Sequence, residues 1–245
     1  MFKTIIALTM LNTSNLTYAI GNQLIIEKAS LRFLPGNLYG LIGANGSGKS
    51  TLLKLLAGIK SPTEGFVTFE NDDLKNKDRK WISTRIAFMG ENLSIPYPFT
   101  AYEIVLMGCY FSPIDQKEDW VHSLLNDVQA LHLAQRIFST LSAGEQQRIL
   151  IAQALATGAS VLLLDEPTSH LDIYHCLEMW SYLKKLSHKG KTIIVSTHDF
   201  NGVEQICSQA LMINQGAILG PGNFSDVLNS SPLSYYLNIK SHIKY

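Results

Sequence analysis

Charge is scarce in this chain. Of 245 residues, 16% are charged, and twenty Lys and Arg balance twenty Asp and Glu to a net charge of zero. So little charge excludes a disordered or coiled-coil protein. The lack of a basic excess weighs against an unspecialised nucleic-acid binder. No apolar run reaches the roughly 18–20 residues that a bilayer-crossing helix needs, so the chain does not itself form a helical pore. Cysteine is also rare: Cys109, Cys176 and Cys207 are an odd number without metal-type spacing, which fits a reducing compartment and plain packing roles. Internal repeats and low-complexity segments are missing. Apolar residues, at 46%, are plentiful enough for a sizeable core, and the length suits one large domain or two small ones.

The opening MFKTIIALTML has Lys3 before a short apolar run but no small-x-small cleavage site, and it leads straight into strand-like sequence. It reads as an irregular extension or an edge strand rather than a secretion signal. Residues 14–42 read as short strands with turns at Gly21-Asn22 and Pro35-Gly36. The strand-like run Leu38-Tyr39-Gly40-Leu41-Ile42 enters a glycine-rich loop, and TLLKLLAGI follows with helical spacing. A turn at Pro62 to Gly65 and a strand at Phe66 to Phe69 come next. Residues 71–80 read as a polar, solvated connection, and RIAFM (85–89) as another strand.

From about 92 to 158 the pattern turns helical. Thr100 and Glu103 have capping-box spacing, and Trp120, Leu124, Leu125, Val128 and Leu131 share one helical face, as core packing requires. The all-apolar runs VLLL (161–164) and TIIVS (192–196) suit parallel strands buried on both faces, with a helix between them. Short strands at ALMIN and GAIL and a last helix near 224–229 complete the pattern. It is an α/β nucleotide-binding core with a mostly helical insertion.

Gly43-Ala44-Asn45-Gly46-Ser47-Gly48-Lys49-Ser50 fits G-x-x-x-x-G-K-[ST] at every fixed position, between a strand and a helix. The glycines let backbone N–H groups turn inward around phosphates. Lys49 reaches the β/γ-phosphates, the Ser50 hydroxyl can ligate Mg²⁺, and the helix N-terminus adds partial positive charge. Val161 to Leu164 then ends in two carboxylates. Asp165, at the strand end, can hold Mg²⁺ directly or through water; Glu166, just outside the strand, can orient or deprotonate a water. Ser142 and Glu145, in Leu141-Ser142-Ala143-Gly144-Glu145-Gln146-Gln147-Arg148, form a second capping box.

With these residues the chain resembles the ATP-binding subunit of ATP-binding-cassette (ABC) transporters over nearly its whole length. GANGSGKST, running through Thr51, resembles the Walker A motif. LSAGEQQR resembles the family's signature, VLLLDEP Walker B with its catalytic glutamate, and Ser169-His170-Leu171-Asp172 the D-loop. His198 in STHDF resembles the switch histidine, and Tyr18 the aromatic that stacks on adenine. The resemblance implies a phosphate-loop NTPase (RecA-like) core with an antiparallel β subdomain, formed by 1–91 and 159–245, and a helical subdomain over 92–158. It implies ATP and Mg²⁺ as ligands and Glu166 and His198 as catalytic residues.

The resemblance further implies a head-to-tail homodimer. Ser142 and Gly144 would meet the γ-phosphate held by the partner's phosphate loop, and Asp172 would couple the two sites. Two departures stand out. Ala143 and Glu145 replace a glycine and the glutamine of the usual signature. Glu91 stands where the family has a glutamine that helps ligate Mg²⁺, with Gly90 where a proline is common; a glutamate can still ligate Mg²⁺, but it adds negative charge beside the γ-phosphate.

YPFTAYEIVLMGCY (97–110), TSHLDIYH (168–175), HDFN (198–201) and GPGNFSDVL (220–228) resemble segments of cassettes that import iron-siderophore, haem or vitamin B12. Cys109 replaces an arginine often found after Met-Gly. The resemblance implies a peripheral subunit on the cytoplasmic face of the inner membrane. Its partners would be integral membrane permease subunits, indirectly a substrate-binding protein, and no nucleic acid; residues 92–112 would form the groove that receives the permease. An exporter cassette is the alternative within the class. A soluble ABC ATPase of DNA repair or translation fits less well. Only 90 residues separate Ser50 from Leu141, without the heptads of a coiled coil, and there is one cassette rather than two.

Overall fold

The structure is a computed structural model that describes residues 11–90, 96–169 and 171–229. The chain opens with strands β1 (Leu11–Ile20), β2 (Gln23–Ala29), β3 (Arg32–Phe33) and β4 (Leu38–Ile42), then helix α1 (Lys49–Leu56). After β5 (Glu64–Phe69) and β6 (Asp72–Asp73) come α2 (Arg79–Ser83) and β7 (Ile86–Met89). Three helices follow: α3 (Ala101–Gly108), α4 (Lys117–Asp127) and α5 (Ala143–Ala156). The last third alternates β8 (Val161–Asp165), α6 (Ile173–His188), β9 (Thr192–Ser196), α7 (Phe200–Ile206) and β10 (Gln209–Asn214), and closes with β11 (Ala217–Gly222) and α8 (Phe224–Asn229).

Two sheets result. One has the order β2-β1-β5-β6, with β3 also on β1, and is antiparallel. The other has the order β11-β10-β4-β9-β8-β7 and is parallel except at the edge pair β10–β11. Every residue of β4, β8 and β9 is buried. The absence of alternation in their sequences has a physical cause: both faces of the parallel sheet are covered, so both sets of side chains are apolar.

The two faces feed separate cores. Leu38, Ile42, Leu162, Leu164, Ile193 and Val195 join one core with α3, α4, α5 and α6. Tyr39, Leu41, Leu163, Ile194, Leu211 and Ile213 join the other, with α1 and the antiparallel sheet. The helices between 92 and 158 therefore have no core of their own; they share one with the sheet.

Two local expectations are corrected. The polar stretch 71–80 is not an open connection. It holds β6 and the start of α2, because Asp73 accepts from the Lys75 N–H at 2.9 Å and Asp78 from the Trp81 N–H at 2.6 Å. Aspartate caps are polar, so such starts look like loop in sequence. Leu131 does not continue the face of α4. The helix stops at Asp127, Gln129 turns with φ of 56°, and Leu131 is 41% exposed, whereas Val121, Leu124 and Leu125 are buried. Both capping boxes, Thr100 with Glu103 and Ser142 with Glu145, are formed. Most of the opening run (1–10), Glu91 and His170 lie outside the described residues.

Candidate active site

Strand order determines where the site lies. β4 sits between β10 and β9, and β8 lies on the far side of β9, so the carboxyl ends of β4, β9 and β8 open side by side. Ligands of open α/β sheets bind at such an edge. The loop 43–48 leaves β4 there. Gly43 has no room for a side chain: a Cβ would stand 2.5 Å from the Ile213 carbonyl oxygen and 2.7 Å from Ser47 Oγ. Gly48, which caps α1, has φ of 109°, a conformation open to glycine alone at low cost.

Lys49 is the first residue of α1 and only 6% exposed. Its Nζ donates to the carbonyls of Gly43 at 3.0 Å and Ala44 at 3.3 Å. It also stands 3.8 Å from Glu166 Oε1 and 3.5 Å from His198 Nε2. His198 Nε2 lies 3.0 Å from the same Glu166 oxygen. A cation, a carboxylate and an imidazole from three distant segments thus converge beside the loop. Asn45, Gly46, Gly48, Ser50 and Thr51 line a cavity of about 430 Å³ with them, within the ordinary size range of small-molecule sites. Ser47 Oγ is buried without a hydrogen-bond partner. The narrow glycine turn, the buried lysine and this orphaned hydroxyl fit a phosphate-bearing ligand.

Ser50 also lines the adjoining cavity of about 620 Å³ with Asp165, at the end of β8. A hydroxyl and a carboxylate are hard oxygen donors of the kind Mg²⁺ takes when phosphates complete its shell. Asp165 is oriented from the next strand: Ser196, its register partner on β9, donates from Oγ to Asp165 Oδ1 at 2.6 Å. The same Ser196 Oγ accepts from the Glu166 N–H at 3.0 Å. One buried serine therefore sets both carboxylate-bearing residues.

The remaining candidates sit apart. Ser142 N-caps α5, with its N–H donating to Glu145 Oε2 at 2.8 Å and its hydroxyl at 2.9 Å. The backbone donor first, then the hydroxyl and Arg136, hold the Glu145 carboxyl below its usual value. Ser142 and Gly144 do not line the phosphate-loop cavity. Asp172 N-caps α6 and is held by the His175 N–H at 2.9 Å and by His175 Nδ1 at 2.8 Å; these contacts lower its pKa.

Tyr18 lies on β1 and its hydroxyl accepts from Lys60 Nζ at 3.0 Å. Ile25 on β2, rather than Tyr18, lines the cavity. Sequence reasoning gives no role to Ile25 or Ser196, and it places Ser169 in the D-loop without pointing to the cavity that it lines. Ser196 opens the STHDF segment of His198, but only its pairing with Asp165 across two strands reveals its place.

Comparisons with known proteins bear on this arrangement. The sequence profile of the family described as ABC transporter matches residues 26–169, more than half of the chain. The hemin import ATP-binding protein of Rhodopseudomonas palustris is 34% identical, over 91% of this chain and 88% of that protein. A structure described as a metal-chelate type ABC transporter in an inward-facing conformation is 30% identical, covering 94% of this chain and 89% of that one, with a TM-score of 0.79. A dimeric, post-hydrolysis ATP-binding cassette bound to ADP and Pi is 26% identical, covering 87% and 98%, with a TM-score of 0.77. A loop, a strand end and a histidine assembled in this way, matched over nearly the full length by such relatives, leave one conclusion: this chain belongs to the ABC transporter family.

Proposed function

We propose that this chain binds and hydrolyses ATP to drive import of a metal chelate, of the iron-siderophore, haem or cobalamin type, through partner membrane subunits. The convergence of Lys49, Glu166 and His198 on the phosphate loop carries the ATPase reading. The import reading rests on relatives named for hemin import and on the metal-chelate type neighbour.

In this reading Lys49 neutralises the β/γ-phosphates, and the N–H groups of 46–51 cradle them. Glu166 accepts a proton from the attacking water while His198 holds the water and the γ-phosphate. The water oxygen bonds to the γ-phosphorus as the bond to the bridging oxygen breaks, leaving ADP and phosphate. Ser50 and Asp165, with Glu91, would hold Mg²⁺, which when bound offsets phosphate charge. Tyr18 would stack on adenine.

The chain works as a homodimer in which Ser142 and Gly144 reach the partner's nucleotide and Asp172 lies at the junction. Among the described residues no helix is long and apolar enough to cross a membrane. By analogy with the hemin import relatives, the translocation path belongs to permease subunits, with this chain at the cytoplasmic face of the inner membrane. In this reading 92–158 is the helical subdomain, 1–91 and 159–245 are the core that carries it, and 92–112 would form the groove that receives the permease.

Phosphate release from Mg-ATP by the purified chain tests the enzymatic half; no release at any ATP concentration would end it. A multi-span permease and a binding-protein gene beside this one would support import, and DNA-repair neighbours would overturn it.

A further inference from the structure

Glu166 stands in a bend that resists its own backbone. Its φ is 50°, in the left-handed region that side-chain-bearing residues enter at a cost and keep only where the surroundings over-determine them. The residue is 7% exposed, and both ends of its peptide are tied. The N–H reaches Ser196, as above. The carbonyl accepts from Gln147 Nε2 at 3.2 Å, from Ser169 Oγ at 3.0 Å and from the Ser169 N–H at 3.3 Å.

The donors on that carbonyl come from two different segments. Gln147 is 3% exposed and sits on α5 five positions after Ser142. Ser169 opens the segment that ends at Asp172 and also lines the phosphate-loop cavity. Gln146, its neighbour, turns the other way and donates to the carbonyls of Phe138 and Leu141, both at 3.1 Å. Of the two adjacent glutamines, helix phase sends one to the start of α5 and the other to the catalytic carboxylate's backbone.

We propose that Gln147 is a positioning residue for Glu166, and that it relays the state of the Ser142 end of α5 to this chain's own hydrolytic site. The inference rests on the functional reading above, in which Ser142 and Gly144 meet the nucleotide of the other protomer. A helix moves as a stiff rod over so few residues, so a shift at Ser142 is carried to Gln147. The hydrogen bond passes it to the carbonyl of Glu166, and the bend converts it into a change in carboxylate direction. Ser169 brings the Asp172 segment to the same oxygen. Misplacing a reacting group by about 1 Å can cost on the order of a hundredfold in rate, so a small shift is sufficient.

The test compares Gln147→Met, which keeps the length and removes the donor, with Gln129→Met, which removes an exposed side-chain hydrogen bond to Glu178 and touches neither α5 nor Glu166. In the nucleotide-free chain, hydrogen exchange at the Glu166 and Ser169 amides should rise about tenfold in Gln147→Met only. Turnover should fall about tenfold to a hundredfold in that variant, with KM for ATP and the affinity for a fluorescent ATP analogue within about twofold of wild type. Unchanged exchange at 166 and 169, or equal losses in both variants, would overturn the relay and leave a merely structural glutamine. A wild-type chain without ATP hydrolysis overturns the functional reading and the relay together; a normal wild type with an unaffected Gln147→Met overturns the relay alone.

Discussion

Replacing Glu166 by glutamine removes one charge from a crowded site and should tighten ATP binding while stopping its hydrolysis. Lys49 Nζ and Glu166 Oε1 are 3.8 Å apart, with side chains 7% and 9% exposed. At an effective dielectric constant near 20, unit charges at about 4 Å attract by about 4 kcal/mol. Before phosphates can use Lys49 fully, that attraction must be exchanged, and the carboxylate then also repels them. Desolvation of the pair and the surviving bonds from Lys49 to the Gly43 and Ala44 carbonyls absorb much of the figure. A remaining gain of about 1.4–2.8 kcal/mol corresponds to a ten- to hundredfold tighter complex.

Removing the proton acceptor meanwhile costs about 10²–10⁴ in rate. Titration with a fluorescent ATP analogue in EDTA reads the first effect without metal, and phosphate release with Mg²⁺ reads the second. Size-exclusion chromatography with Mg-ATP should then show more dimer in Glu166→Gln than in wild type. Equal affinity together with wild-type hydrolysis would show that Glu166 neither competes for Lys49 nor takes the proton.

Lys49→Ala should abolish hydrolysis and weaken ATP binding about tenfold or more, as loss of a charge-assisted hydrogen bond of about 1.5–3 kcal/mol requires; wild-type ATPase rates would refute its assignment. Gly43→Ala should destabilise the fold by about 1–3 kcal/mol and impair nucleotide binding, since the methyl would collide with the Ile213 carbonyl oxygen, Ser47 Oγ and Ile213 Cγ2; unchanged urea midpoint and affinity would contradict the packing argument. The Glu145 carboxyl is held below its usual value of 4.5, first by the Ser142 N–H. A lowered folded-state pKa adds stability that is present above the usual value and lost as pH falls through the lowered one. The melting-temperature gap between wild type and Glu145→Gln should therefore shrink on acidification below about pH 4.5, and a gap independent of pH would be the contrary result. Glu91→Gln should change the Mg²⁺ dependence of hydrolysis if Glu91 ligates the ion, and superimposable titrations would make it a bystander.

What the sequence by itself determined is local. The phosphate loop, the paired carboxylates after VLLL and both capping boxes are legible because consecutive residues carry the whole geometry. A glycine turn, a strand end and an N-cap need no distant partner. Even the all-apolar strands announce that both their faces are covered.

Tertiary structure alone decided the rest. Ser196 reaches Asp165 and Glu166 only because β8 and β9 are neighbours in that register. Lys49, Glu166 and His198 meet only because β4, β9 and β8 open at one edge. Ile25 enters the cavity from the other sheet. The two glutamines of α5 look alike in sequence, and only the phase of a packed helix tells which one holds the bend at Glu166. Spacing along the chain specifies groups that one turn can bring together; groups from separate strands and helices meet where sheet order and core packing put them.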